Sequence, residues 1–159
     1  MTPNTPTPGE PWLYWEDFRE GQVLEFGAVE DKRDDIVRFA AEFDPQRFHL
    51  DEDAARDSLF GGLVASGWHT ASMSMRMMWE GYLHRAESLG SPGIESLKWL
   101  LPVRPGDTLR MRLTVLESRP LKSRPGIGLV KSRHQVLNER DEVVMEMDGY
   151  GMFGRRPQG

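Results

Sequence analysis

Asp44 and His49 stand five residues apart, separated by Pro45-Gln46-Arg47-Phe48. An acid and an imidazole on an irregular turn just after a helix can be aimed at one point, where such a pair moves protons on and off a bound molecule. The same residues allow a plainer reading. Asp44 would then form an Asx-type turn onto nearby backbone, and His49 would be an ordinary surface or core histidine. Further on, Phe60-Gly61-Gly62 is a flexible break, and Ser66-Gly67 opens the longest helical pattern of the chain. Ser66 has the chemistry of an N-cap, and main-chain N–H groups at a helix start favour developing negative charge. His69, His84 and His134 show no spacing that suggests metal ligation, and they are read as structural or surface residues. With no Cys in the chain, disulfides, zinc-thiolate sites and Cys nucleophiles are all excluded. No metal and no redox cofactor is expected.

The elements that must position these residues follow from periodicity. Gln22 to Phe26 alternates as a first strand would. From Asp35 onward, Ile36, Phe39, Ala40 and Phe43 form one apolar stripe of a short helix, which Pro45 stops. Asp51 can cap a second short helix running to about Asp57. The pattern after Ser66 runs to about Leu83, with Trp68, Ala71, Met75, Met78 and Tyr82 at helical spacing. Being apolar over much of its circumference, this helix is expected to be deeply buried. Met73, Met75, Met77 and Met78 suit core packing, and the lining of an adaptable apolar tunnel is the second reading.

Beyond Gly90-Ser91-Pro92-Gly93 the character changes, and Ile94–Leu101, Leu109–Leu116, Ile127–Leu137 and Glu142–Phe153 read as strands. Leu109, Met111, Leu113 and Val115 alternate with Arg110, Arg112 and Thr114 in the clearest two-faced strand. Asn138 to Asp141 supplies turn chemistry between the last two strands. One long buried helix followed by antiparallel strands, with a strand in front, implies an α+β domain over residues 12–155, in which a curved antiparallel sheet wraps around a central helix. Residues 1–11, rich in Thr and Pro and without a basic start or apolar run, are expected to form a flexible N-terminal tail rather than a secretory signal.

Over nearly the whole of Trp12 to Phe153 the sequence resembles the MaoC-like dehydratases, which include the R-specific enoyl-CoA hydratases and have the hot-dog fold. Their characteristic segment runs Asp-x-Asn-Pro-x-His, then a short helix, then Phe-Gly-x-x-x-Ala-x-Gly before the long helix. Asp44, His49, Phe60-Gly61 and Ala65-Ser66-Gly67 fall in that order. The resemblance implies that Asp44 and His49 hold a water and that the Gly67 N–H binds the thioester carbonyl, with Ser66 and Gln46 beside them. It further implies addition or removal of water at the 2,3 position of an acyl-CoA. A hot-dog thioesterase and a non-catalytic acyl-binding subunit are the alternatives. Gln46 stands where the family usually has Asn, Arg47 where it has Pro, and Ser66 where many relatives have His. These departures bear on the substrate more than on the fold.

At 159 residues with 38% hydrophobic content, the chain can bury one core. A net charge of −5 provides no general field for nucleic acid. The local basic run Arg119, Lys122, Arg124, Lys131 and Arg133 suits either the phosphates of coenzyme A or a solvated loop between strands. No apolar run approaches the roughly 20 residues of a bilayer span, so a cytoplasmic protein without membrane contact is expected. An open-edged sheet of this kind implies pairing into a homodimer, or into a dimer of dimers or trimer of dimers.

Overall fold

The computed structural model describes residues 12–158, so the expected tail at 1–11 lies outside the described residues. Strand β1 (Val23–Glu30) leads into helix α1 (Arg33–Phe43), the short helical turns α2 (Arg47–Leu50) and α3 (Glu52–Arg56), and the long helix α4 (Gly67–Gly81). Strands β2 (Ile94–Trp99), β3 (Thr108–Leu121), β4 (Arg124–Leu137) and β5 (Val143–Gly154) follow. All pairings are antiparallel, in the order β1-β3-β4-β5-β2, so β1 and β2 are the edges. Helix α4 packs against β1 and β3, which gives the central helix and antiparallel sheet of the hot-dog fold.

The period-2 reading of β3 is realised: Leu109, Met111, Leu113 and Val115 are at most 1% exposed, while the residues between them are not buried. Facing them are Met77 and Met78 of α4, with Val136 of β4 and Met145 of β5 completing the core. A break in register between Phe26 and Val29 bends β1 where Gly27 takes φ +87°. A side chain on Gly27 would meet the Met77 sulfur at 2.6 Å, so glycine permits both the bulge and the close approach of α4. Among the described residues no helix is long and apolar enough to cross a membrane.

Two expectations need correction. Helix α4 is not deeply buried all round: Trp68 is 59% and Met75 49% exposed, whereas His69, Thr70 and Ser74 lie in the interior beside Met77 and Met78. A helix apolar on most sides does not announce which face meets its own sheet, and here the polar residues inside have found partners. Ser74 donates to the Ala71 carbonyl and His69 pairs with Asp31. Second, the basic run is only in part a solvated loop: Arg119, Lys122 and Arg124 are exposed at or beside the β3–β4 turn. Lys131 and Arg133 lie on β4, where they pair with Glu95 and Asp148, and the β3–β4 turn lies at the far end of the sheet from Asp44. Within one protomer, that run does not approach the site.

Candidate active site

Helix α1 ends at Asp44, whose N–H still donates to the Ala40 carbonyl while its backbone leaves helical geometry ahead of Pro45. Three residues later the chain turns helical again in α2, which carries His49 into the interior. The sequence reads this stretch as an irregular turn. His49 Nδ1 lies 2.7 Å from the Val64 carbonyl, and a carbonyl only accepts, so Nδ1 bears a hydrogen. That bond directs Nε2 at Asp44 Oδ2, 3.3 Å away. The Val64 N–H in turn donates to the Phe48 carbonyl and the Ala65 N–H to the Val103 carbonyl, which fixes the strap leading to α4.

Both oxygens of Asp44 are engaged: Gln46 Nε2 donates to Oδ1 at 2.8 Å and Ser66 Oγ to Oδ2 at 2.7 Å. The longer Gln46 thus folds back onto the carboxylate instead of reaching away from it. Partial burial pushes the Asp44 carboxyl up, but the hydrogen bonds from Gln46 and Ser66 and the charge of His49 outweigh this and hold it below its ordinary value. Ser66 also caps α4, accepting from the Trp68 N–H at 3.3 Å. Gly67 begins the helix, where the first N–H groups have no intrahelical partner. Trp99 lies across Gly67, its indole N–H donating to the Gly67 carbonyl at 2.8 Å, and a Cβ at Gly67 would come within 2.4 Å of the indole.

These groups line one pocket of about 470 Å³, with Phe48, Phe60, Leu100 and Val103 among its apolar walls. Asp44, His49, Gln46 and Gly67 all border it, and Ser66 reaches it through Asp44. An acid–imidazole pair, a free helix-start N–H and an apolar wall together can bind a carbonyl and move protons beside it. Sequence reasoning missed the Val64 carbonyl and Trp99, which no local pattern marks. It also missed the buried pair of His69 Nε2 and Asp31 Oδ1 at 2.8 Å, because those partners are 38 residues apart.

Ser66→Ala removes one hydrogen bond from the Asp44 carboxylate and one from the helix cap. Its expected cost is about 1 kcal/mol of stability, read by denaturant unfolding. The acid limb of the activity profile is expected to move to higher pH, since the Asp44 pKa rises and its charged form is lost as pH falls through that pKa. An unmoved acid limb would remove Ser66 from the control of Asp44.

The model of the MaoC like domain matches residues 17–136. The protein YdeM of Bacillus subtilis (strain 168) is 33% identical over 131 residues, 82% of this chain and 92% of that protein. The (R)-specific enoyl-CoA hydratase of Rhodospirillum rubrum is 27% identical over 114 residues, 69% of this chain and 74% of its own. Among solved structures, a MaoC-like dehydratase from Rhodospirillum rubrum superposes with a TM-score of 0.86 at 44% identity, covering 92% of this chain and 99% of that one.

Proposed function

Because this chain belongs to the MaoC-like domain family, we propose that it is an enoyl-CoA hydratase, or the reverse 3-hydroxyacyl-CoA dehydratase, with Asp44 and His49 as its proton-transfer pair. The observation that carries this reading is the convergence of Asp44 Oδ2 and His49 Nε2, 3.3 Å apart, in the pocket bordered by Gly67. The Rhodospirillum rubrum relative named as an (R)-specific enoyl-CoA hydratase supports it.

The proposed cycle starts with a proton on Nε2, between it and Oδ2, while the Val64 carbonyl accepts from Nδ1. In hydration, water attacks C3 of the enoyl thioester and gives a proton to Asp44. The thioester oxygen gains negative charge, and the Gly67 N–H donates a hydrogen bond to it. His49 then returns a proton to C2. Passage of the Asp44 proton to His49 across the short gap restores the starting state, so each turnover consumes one water and no net proton. The pair performs both transfers itself, and no metal or redox cofactor is required.

The test is loss of the conjugated enoyl-thioester absorbance with crotonyl-CoA and longer 2-enoyl-CoAs. Hydration establishes the reading; release of free thiol without hydration replaces it with a thioesterase, and tight binding without either reaction replaces it with an acyl-binding subunit.

The same reading includes at least a homodimer. Edge strand β2 carries exposed Ile94 and Trp99 and runs on into exposed Leu100 and Leu101, while Trp68 stacks edge-on against Trp99 at 5.1 Å between ring centres. An exposed apolar edge of this kind invites pairing with a second copy. Light scattering is expected to give twice the chain mass or a multiple of it, and a monomer at micromolar concentration would contradict the pairing.

A further inference from the structure

A second cavity, of about 240 Å³, lies between the later turns of α4 and the inner face of β3, β4 and β5. Its walls are mainly apolar: Phe18, Met75, Met78, Leu113, Val130 and Phe153. Half-exposed Met75 and Ile94 mark where it approaches the surface. Set into these walls are two polar groups without adequate partners. His134 is 7% exposed, and neither ring nitrogen makes a hydrogen bond among the described residues. The Met147 backbone across the strand pair offers a weak contact that falls short of one. Tyr82, equally buried, has among the described residues the Met78 thioether, 3.8 Å from its hydroxyl, as its partner.

Buried polar groups left unpaired, as at His134, or weakly paired, as at Tyr82, are costly in a native interior, and two facing one apolar space call for a ligand or a water that completes them. We infer that this cavity receives the distal part of the acyl chain, and that His134, with Tyr82, makes the protein select chains bearing an uncharged oxygen group, a hydroxyl or a ketone, over plain alkyl chains. The inference rests on the acyl-CoA reading above.

Three observations shape it. The cavity lies on the same helix as Gly67, and Met75 and Met78 follow Gly67 by about 12 to 16 Å along the axis at 1.5 Å per residue. Both cavities border α4 and share no lining residue, so a chain held at its thioester by Gly67 would reach the second by running along that helix. At roughly 30 Å³ for a water-sized group, 240 Å³ accommodates about eight such groups (240/30), which suits a medium-length tail. Among the described residues no Asp, Glu, Lys or Arg lines the cavity, and Lys131 and Arg133 of β4 are committed to Glu95 and Asp148. Burial pushes the His134 imidazole down to about 4, against smaller opposing effects from the Met147 backbone and Asp148, so it is neutral at pH 7. A carboxylate tail would find no cation there, whereas a hydroxyl or ketone oxygen matches neutral imidazole and phenol.

The experiment compares kcat/KM for 2-decenoyl-CoA and its 9-hydroxy counterpart on wild type, His134→Leu and His134→Gln, with the His134 ring proton resonances followed as 2-heptanol or heptane is added. Wild type is expected to prefer the hydroxylated chain about tenfold, the scale of one hydrogen bond. His134→Leu is expected to lose that preference and His134→Gln to keep part of it. Replacing an unpaired imidazole by an apolar group leaves the fold intact, so His134→Leu is expected to melt no lower than wild type. Equal kcat/KM for the two chains on wild type overturns the inference while leaving the hydratase reading in place. If no enoyl-CoA turns over, the hydratase reading fails instead. The ring resonances then decide: a shift with 2-heptanol but not heptane upholds the cavity as a site for oxygenated chains, and no shift, as for a cavity filled by water alone, overturns it.

Discussion

Asp44→Asn is expected to lower kcat/KM for hydration of a 2-enoyl-CoA by about 10³-fold, within the range of general acid–base catalysis, which corresponds to about 4 kcal/mol of transition-state stabilisation. Asparagine occupies nearly the same space, but its amide nitrogen cannot accept the bond that Gln46 or Ser66 now donates, and its oxygen cannot take a proton from water at neutral pH. The cost to folding is smaller. One hydrogen bond is lost at a partly exposed position, about 1 kcal/mol, and the helix end, with its Asp44 N–H bonded to Ala40, is untouched. Kinetics and thermal unfolding on the same preparation separate the two effects. A variant that melts near wild type and hydrates within tenfold of it would show that Asp44 is not the base.

Much of this arrangement is legible in the sequence where the determining contacts are local. The alternation of Leu109, Met111, Leu113 and Val115 dictates which face of β3 is buried, because period 2 admits only one choice. Asp51 is legible as a cap from its place at the head of a short helical segment, and its side chain accepts from the Asp53 and Ala54 N–H groups. The order Asp44, His49, Gly67 was visible through the family pattern, and the structure brings these residues to one pocket.

What the sequence conceals depends on contacts between distant segments. Nothing near His69 announces Asp31, and nothing near His134 distinguishes a cavity wall from a packed interior. The inward face of α4 was misjudged for the same reason. Trp68 looks like a core residue until β2 places Trp99 beside it at an open edge, and Met75 until the fold leaves it half-exposed, while Ser74 looks like a surface residue until its hydroxyl finds the Ala71 carbonyl.

Gly67→Ala tests the other half of the site. A Cβ there would lie 2.4 to 2.7 Å from three atoms of the Trp99 indole, closer than carbon atoms approach, so the indole must swing aside and surrender its bond to the Gly67 carbonyl. Trp99 is 44% exposed and ends an edge strand, so it has room to move, and alanine is no worse than glycine in a helix. Stability is therefore expected to stay near wild type. The pocket wall does not, and a displacement of about 1 Å in such a wall commonly costs about 10²-fold in rate. Combining the change with Trp99→Ala assigns the cause through a double-mutant cycle. If the indole transmits the effect, Gly67→Ala should cost less than about threefold once Trp99 is already alanine, because nothing remains to be displaced. Were the full loss to persist in that background, the methyl itself would be obstructing the thioester at the Gly67 N–H, and the role of Trp99 as the wall that glycine makes possible would fall. A Gly67→Ala enzyme as active as wild type would exclude both, and with them any requirement for glycine at the start of α4.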